Sequence, residues 1–144
     1  NLVPPFKKDQ DYHGTSAAIE YAVKTLKIPH IVVLGHSKCG GVETSFDYFS
    51  GNNPDLYEDS NFVASWLEIL RPSFNKIPKE LSLKNKIKSL EKQTVLTSIE
   101  NLVTFPFISN ALKNETISLH GLWHDIGSGE LMYFDVKSND FILV

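Results

Sequence analysis

An α/β fold, with a mostly parallel central sheet flanked by helices and a C-terminal antiparallel hairpin, is the class this sequence predicts. Three observations carry it. A continuous, largely β-branched run, His30-Ile31-Val32-Val33-Leu34, lies between two helical stretches, as in a parallel strand buried on both faces. A long segment at 85–103 repeats its apolar residues at helical spacing. The last third then changes period, with Thr116 to Leu122 and Glu130 to Val136 flanking the turn Gly127-Ser128-Gly129. The 144 residues are 42% hydrophobic and 22% charged, which suits one domain over 1–144 and is too short for two.

Residues 1–13 contain Pro4 and Pro5 and read as an extended lead-in. Gly14-Thr15-Ser16 forms a turn and cap for a helix over Ala17 to Lys27, whose Ala18, Ile19, Ala22, Val23 and Leu26 share one face. Pro29 ends that helix before the strand. The stretch from Gly35 to Gly41 is a tight turn, and Val42 to Ser50 a second helix. A polar loop fills 51–60. Helices then cover 61–71, stopping before Pro72, and 85–103, where Ile87, Leu90, Ile99 and Leu102 mark the buried stripe. After a break at Pro106 a short helix runs to Leu112. There is no internal repeat.

Charge narrows the function classes. Fourteen basic and 17 acidic residues give a net charge of −3 without a basic cluster, which argues against a nucleic-acid groove or an anionic-membrane surface. The apolar runs are too short to span a bilayer. The single cysteine, Cys39, forms no internal disulfide and fits a reducing compartment, so a cytoplasmic location is expected. No signal-peptide pattern opens these residues.

The chemistry concentrates in IVVLGHSKCGG, where His36 and Cys39 stand at the carboxyl end of a strand, just before a helix. Open α/β sheets bind ligands there. Four readings stay open. His36 and Cys39 are good zinc ligands, and the helix N-terminus with the amides of Gly40 and Gly41 favours a thiolate and an adjacent anion. Two ligands do not complete a zinc enzyme's site, which takes three from protein plus water. Gly35-His36-Ser37-Lys38 begins like the nucleophile elbow G-x-S-x-G, but Cys39 stands where that turn requires Gly, and the hydrolases that use it are longer. A Cys39–His36 nucleophile pair is the third reading, without a clear third member. The fourth makes both residues packing groups at a strand end.

His120 and His124 lie in strand-like sequence, where four residues span roughly 13 Å, too far for one metal. They read as structural or surface residues. His13 and His30 have no evident partner, and Asp125 fits turn chemistry. Tyr21, at or near the Ala18/Ala22 face, reads either as a core residue or as an aromatic wall of a small pocket.

These residues together resemble the β-class carbonic anhydrases, in their plant-like branch. GTSAAIEYAVKTLKIPHIVVLGHSKCGG is similar to that family's most recognisable stretch, with its second and third zinc ligands falling on His36 and Cys39. Asn1-Leu2-Val3-Pro4-Pro5 resembles the end of the family segment R-N-x-A-N-x-V-P-P. SIENLVTFPFISNAL and ISLHGLWHDIGSGELMYFDV resemble the later helices and the closing hairpin. The family's first zinc cysteine belongs to C-x-D-x-R, and neither that motif nor its Asp–Arg pair occurs in these 144 residues. The intact protein is therefore expected to carry a further N-terminal region with the first parallel strand.

The resemblance implies a lyase: Zn²⁺ acidifies a bound water, and the resulting hydroxide hydrates carbon dioxide reversibly to bicarbonate. It makes His36 and Cys39 metal ligands, assigns a substrate-facing backbone amide to Gly40, and makes Tyr21 a pocket-lining residue. It implies a homodimer or dimer-based oligomer, because the family's pocket lies at a dimer interface. It further implies that this chain alone binds zinc poorly and is inactive, lacking one ligand, the Asp–Arg pair and a strand. Carbonyl sulfide or carbon disulfide hydrolysis on the same scaffold, or a non-catalytic bicarbonate-binding or assembly subunit, are the alternatives it leaves.

Overall fold

In a computed structural model, the protein is described over residues 2–8, 13–52 and 61–144. Most of the polar loop expected at 51–60, and residues 1 and 9–12 of the lead-in, lie outside the described residues. The remaining lead-in is extended, and the end of the long helix at 83–103 fastens it: Asn101 donates to the Val3 carbonyl (2.7 Å), and Phe6 N–H to Thr104 Oγ1 (2.8 Å).

The element order is α1 (Gly14–Lys24), β1 (His30–His36), α2 (Gly40–Phe49), α3 (Asn61–Leu67), a 3₁₀ turn (Glu68–Leu70), α4 (Arg71–Asn75), α5 (Leu83–Val103), α6 (Pro106–Lys113), β2 (Ser118–His124), β3 (Leu131–Asp135) and β4 (Asp140–Leu143). The sheet runs β1-β2-β3-β4. β1 and β2 are parallel, from His30 opposite Ser118 to His36 opposite His124. β3 and β4 add in antiparallel fashion, so the expected hairpin is present and a second one extends it. Among the described residues no helix is long and apolar enough to cross a membrane.

Several expected boundaries move for identifiable reasons. α1 begins at Gly14 with His13 as its N-cap residue, and the Ser16 hydroxyl hydrogen-bonds the His13 ring instead of capping the helix (2.9 Å). It stops at Lys24, before Lys27 enters the left-handed region at φ 54°. Gly35 and His36 extend the strand and Gly40 and Gly41 open α2, so the expected turn contracts to Ser37-Lys38-Cys39. Pro72 does not end a helix; it lies in the first turn of α4, where a missing N–H costs nothing. Pro106 likewise opens α6.

The reading of β1 as buried on both faces is corrected. Its residues alternate: Ile31, Val33 and Gly35 are partly covered, whereas Val32 and Leu34 are 56% and 60% exposed. β1 is an edge strand, and α5 packs on the face it shares with Leu119, Gly121 and Trp123 of β2. That contact is close. A Cβ added at Gly35 would lie 2.5 Å from Val95 Cγ2, and one at Gly121 would lie 2.9 Å from Ile99 Cδ1. Glycine at both positions is what lets a helix settle this near the strands. Buried Leu90, Val95 and Leu102 hold α5 from its middle to its end, while Ile87 and Ile99 pack at the margins of the core.

Candidate functional site

His36 is the last residue of β1 and Cys39 is the N-cap residue of α2, so the strand-to-helix turn alone brings them to one place. Both line a cavity of about 250 Å³ with Leu34, Val42, Leu67 and Leu70. Residues from both faces of β1, Val33 and Gly35 on one and Leu34 and His36 on the other, contribute to its wall. The cavity therefore follows the unpaired edge of β1.

The ligand-like features are specific. The His36 ring meets the Ser37 carbonyl oxygen through Nδ1 at 2.9 Å. With the proton on Nδ1 as the donor, Nε2 keeps its lone pair for a ligand, the arrangement metal-binding histidines adopt. Cys39 is partly buried, and its side chain makes no capping hydrogen bond. Its carbonyl instead accepts from Val42 and Glu43 N–H, both at 3.0 Å, so the first turn of α2 winds directly off this residue. The partial positive end of α2 faces the sulfur's surroundings. An imidazole nitrogen and a thiol are the donor types zinc prefers, which makes the set chemically fitting but short of three. Among the described residues no group of three or more His, Cys, Asp or Glu side chains could hold a metal ion.

The turn is stitched from behind. Ser37 N–H donates to the His124 carbonyl (2.9 Å), and Ser37 Oγ donates to Asp125 Oδ1 (3.2 Å) and accepts from Ile126 N–H (2.9 Å). Asp125 Oδ1 also accepts from Gly127 and Ser128 N–H, which is the expected turn role.

Glu91 is the residue sequence reasoning missed. It stands on α5 beside Leu90, only 4% exposed, and lines the same cavity. Its carboxylate lies within electrostatic reach of the Cys39 and Lys38 backbone amides and of the His36 ring. Burial pushes its pKa above the usual carboxylate range, and the two amides and His36 pull against that. A glutamate in a charged helix segment reads as a solvated residue; the usable signal was its place directly beside the predicted stripe position Leu90.

The other predicted residues fall elsewhere. Gly40 is exposed at the first position of α2, with open space where a Cβ would stand, and its neighbour Gly41 lines the cavity in its stead. Tyr21 is 58% exposed on α1 and does not line the cavity. His124 and His120 lie on β2, and His120 meets His30 on the exposed face, Nε2 to Nδ1 at 3.2 Å. His30 thus has a partner that spacing alone did not suggest. A larger hollow of about 580 Å³, lined by Lys7, His13, Glu20 and Lys24, holds none of the predicted site residues.

Comparison with known proteins gives one answer. The family model described as carbonic anhydrase matches residues 1–131. The chain is 31% identical over 144 residues to β carbonic anhydrase 3 of Arabidopsis thaliana, with 98% of this chain covered. It spans 53% of that relative's length. Among solved structures, the β-carbonic anhydrase CcaA superposes with a TM-score of 0.86 at 31% identity, covering 99% of this chain and 62% of that one. A structure from a study of two tetrameric β-carbonic anhydrases of Sordaria macrospora matches at a TM-score of 0.67 and 27% identity, over 92% of this chain and 62% of that one. Sequence and fold agree, and the chain belongs to the carbonic anhydrase family, in its β class.

Proposed function

We propose that the intact protein interconverts carbon dioxide and bicarbonate, with zinc held by His36, Cys39 and a third ligand from outside these 144 residues. One observation carries the reading: in a chain of this family, an imidazole with its Nδ1 on a backbone carbonyl and a cysteine share one small cavity at a strand's carboxyl end. When bound, zinc supplies a Lewis acid that makes water a nucleophile near neutral pH.

The chain's own residues do the rest. Ser37 fixes the His36 tautomer through its carbonyl, so the ring can serve as a neutral ligand. Leu34, Val42, Leu67 and Leu70 make the cavity wall apolar, which suits a small, uncharged, weakly hydrated substrate. The amides at the start of α2, Gly40 among them, offer donors to the bicarbonate anion. The cavity's opening along the unpaired edge of β1 is where a further parallel strand would bring the missing ligand. Tyr21 is exposed and away from the cavity wall, so it reaches substrate only if a second copy of the chain presents it there. The exposed Val32 and Leu34 add an apolar face to that argument for a dimer-based assembly.

The test is zinc per chain, by elemental analysis, in the full-length protein and its Cys39→Ala variant, followed by a carbon dioxide hydration assay. We expect about one zinc per chain, loss of zinc and of hydration in the variant, and no turnover by the 144-residue chain alone. A full-length protein without zinc would return His36 and Cys39 to packing roles.

A further inference from the structure

Two histidines that the carbonic anhydrase site does not use also meet. His30 opens β1, and His120 stands opposite Val32 on β2, two positions farther along the ladder. Alternate residues of a strand share a face, so both rings project from the open side of the sheet, and both are exposed. His120 Nε2 lies 3.2 Å from His30 Nδ1, with ring centroids 5.2 Å apart and planes inclined at 55°. Two nitrogens each about 2.0–2.1 Å from one ion lie roughly 2.9 Å apart at a right angle and roughly 3.3 Å apart at a tetrahedral one. The observed separation falls between these values, so a chelate requires the rings to turn and leaves the strands where they are. The backbone beneath them is fixed. Ser118 N–H donates to the Pro29 carbonyl (2.9 Å), which closes the ladder directly before His30. Gly121, next to His120, lies against α5, where an added Cβ would stand 2.9 Å from Ile99 Cδ1. The ring contact as it stands gives one facing nitrogen a proton and the other a lone pair. With that proton moved to the far nitrogen of its own ring, both facing nitrogens present lone pairs and no proton is lost. A cavity of about 580 Å³, with His120, Val32, Leu122 and Tyr133 in its wall, leaves room beside the pair for water. Six residues of extended strand, roughly 20 Å, separate His30 from His36, so the two sites are distinct.

We propose that His30 and His120 form a second metal site, a two-imidazole chelate for a divalent transition-metal ion such as Ni²⁺, Cu²⁺ or Zn²⁺, with water in the other positions. Imidazole suits these ions, whereas Mg²⁺ and Ca²⁺ take oxygen ligands. Two protein ligands hold an ion less firmly than three, so this ion exchanges with the medium. While bound it pins β1 to β2 near their amino ends, and it stabilises the folded chain by mass action.

The experiment takes the full-length protein, measures its zinc content, and then titrates it with Ni²⁺ by calorimetry at neutral pH. We expect about one Ni²⁺ per chain beyond the zinc already bound, an unchanged zinc content afterwards, and a higher melting temperature with Ni²⁺ than without it. His30→Ala, His120→Ala and the double variant should each lose that equivalent to the same extent, because a chelate needs both rings. Their carbon dioxide hydration and their melting temperature without Ni²⁺ should match wild type, as for substitutions at exposed positions. No Ni²⁺ beyond the zinc in the wild-type protein would overturn the proposal, by showing that this face is covered or that the rings do not converge. Single-variant losses that add up to the loss in the double variant would overturn it as well, since two separate rings bind in that way. Full binding by the double variant would place the ion elsewhere and be equally fatal. A full-length protein without zinc would instead remove the zinc reading, and the loss of Ni²⁺ in the His30 and His120 variants would still decide this site.

Discussion

The two faces of the β1–β2 pair are finished in opposite ways. Toward α5 the strands carry Val33, Gly35, Gly121 and Trp123, and the helix comes close enough that only glycine fits at two positions. Toward the other side they carry His30, Val32, Leu34 and His120, all exposed. Apolar content does not separate the faces; support does. The same contrast separates two pairs of donor residues. His36 and Cys39 have a carbonyl on the ring, a helix N-terminus at the sulfur and the buried Glu91 in the wall of their shared cavity. His30 and His120 have each other's ring and open surface. Proximity of two donors is common, and a supporting shell on rigid elements is what turns proximity into a firmly held site.

The largest effect that tests this contrast is a matched pair of truncations. Leu90 on α5 is fully buried against Val42, Phe46 and Leu70, and Leu34 on the open face is 60% exposed. Leu90→Ala should cost about 2–5 kcal/mol of unfolding free energy, the range for buried leucines. Leu34→Ala should cost this chain no more than about 0.5 kcal/mol, as for an exposed position. Urea unfolding of both variants measures the difference. A Leu34→Ala cost that rises toward the Leu90→Ala value in the full-length protein would show that the open face is covered there. Equal costs in the 144-residue chain would erase the distinction between the faces.

The next effect concerns the close approach itself. Gly35→Ala places a methyl 2.5 Å from Val95 Cγ2, with the Glu91 carbonyl oxygen and Trp123 Cδ1 both at 3.5 Å. Val95 is 1% exposed and has little room to turn away. Overpacking of this kind costs about 1–3 kcal/mol. Relief requires β1 to move off α5, and that motion displaces His36 from the Glu91 side of the turn. Calorimetry should therefore show a lower melting temperature, and in the full-length protein zinc affinity should fall with it. A melting temperature at or above wild type would mean that the gap between strand and helix is looser than these distances imply.

Much of this was legible beforehand because its causes are local. The Gly-Ser-Gly turn flanked by alternating residues marked the β2–β3 hairpin, and the β-branched run marked β1. Leu90 and Leu102 announced the buried face of α5 by spacing alone. What escaped depends on partners distant in sequence. Glu91 is buried in a cavity wall that it shares with His36 and Cys39, which lie far earlier in the chain, and no helical pattern contains that fact. The exposure of Val32 and Leu34 depends on what covers an edge strand, whereas their sequence describes only what they could bury against. β4 went unread because Asp140–Leu143 is four residues long, too short for alternation to register. Within the site, His36 and Cys39 were readable because the strand-to-helix turn joins them directly, while Tyr21 sits on a different element, away from the cavity.

The smallest expected effect tests the stitching behind the site through pH. Asp125 receives the Gly127 amide at 2.9 Å, the Ser128 amide at 3.4 Å and the Ser37 hydroxyl at 3.2 Å, with Lys88 Nζ 3.8 Å away. The Gly127 amide, then the Ser128 amide, the Ser37 hydroxyl and the Lys88 charge hold its pKa below the ordinary 3.8. The unfolded chain thus binds a proton at higher pH than the folded one does. Stability from this carboxylate is present in full above the unfolded value and drains away as pH falls through the lowered, folded one. Asp125→Asn keeps an oxygen for the amides but cannot titrate, so its urea midpoint should lie slightly below wild type at pH 7. It should then decline less steeply between about pH 5 and pH 2, closing the gap as the wild-type carboxylate protonates. Parallel profiles for the two proteins would mean that the hairpin carboxylate does not tie Ser37, and with it the end of β1, to the turn after β2.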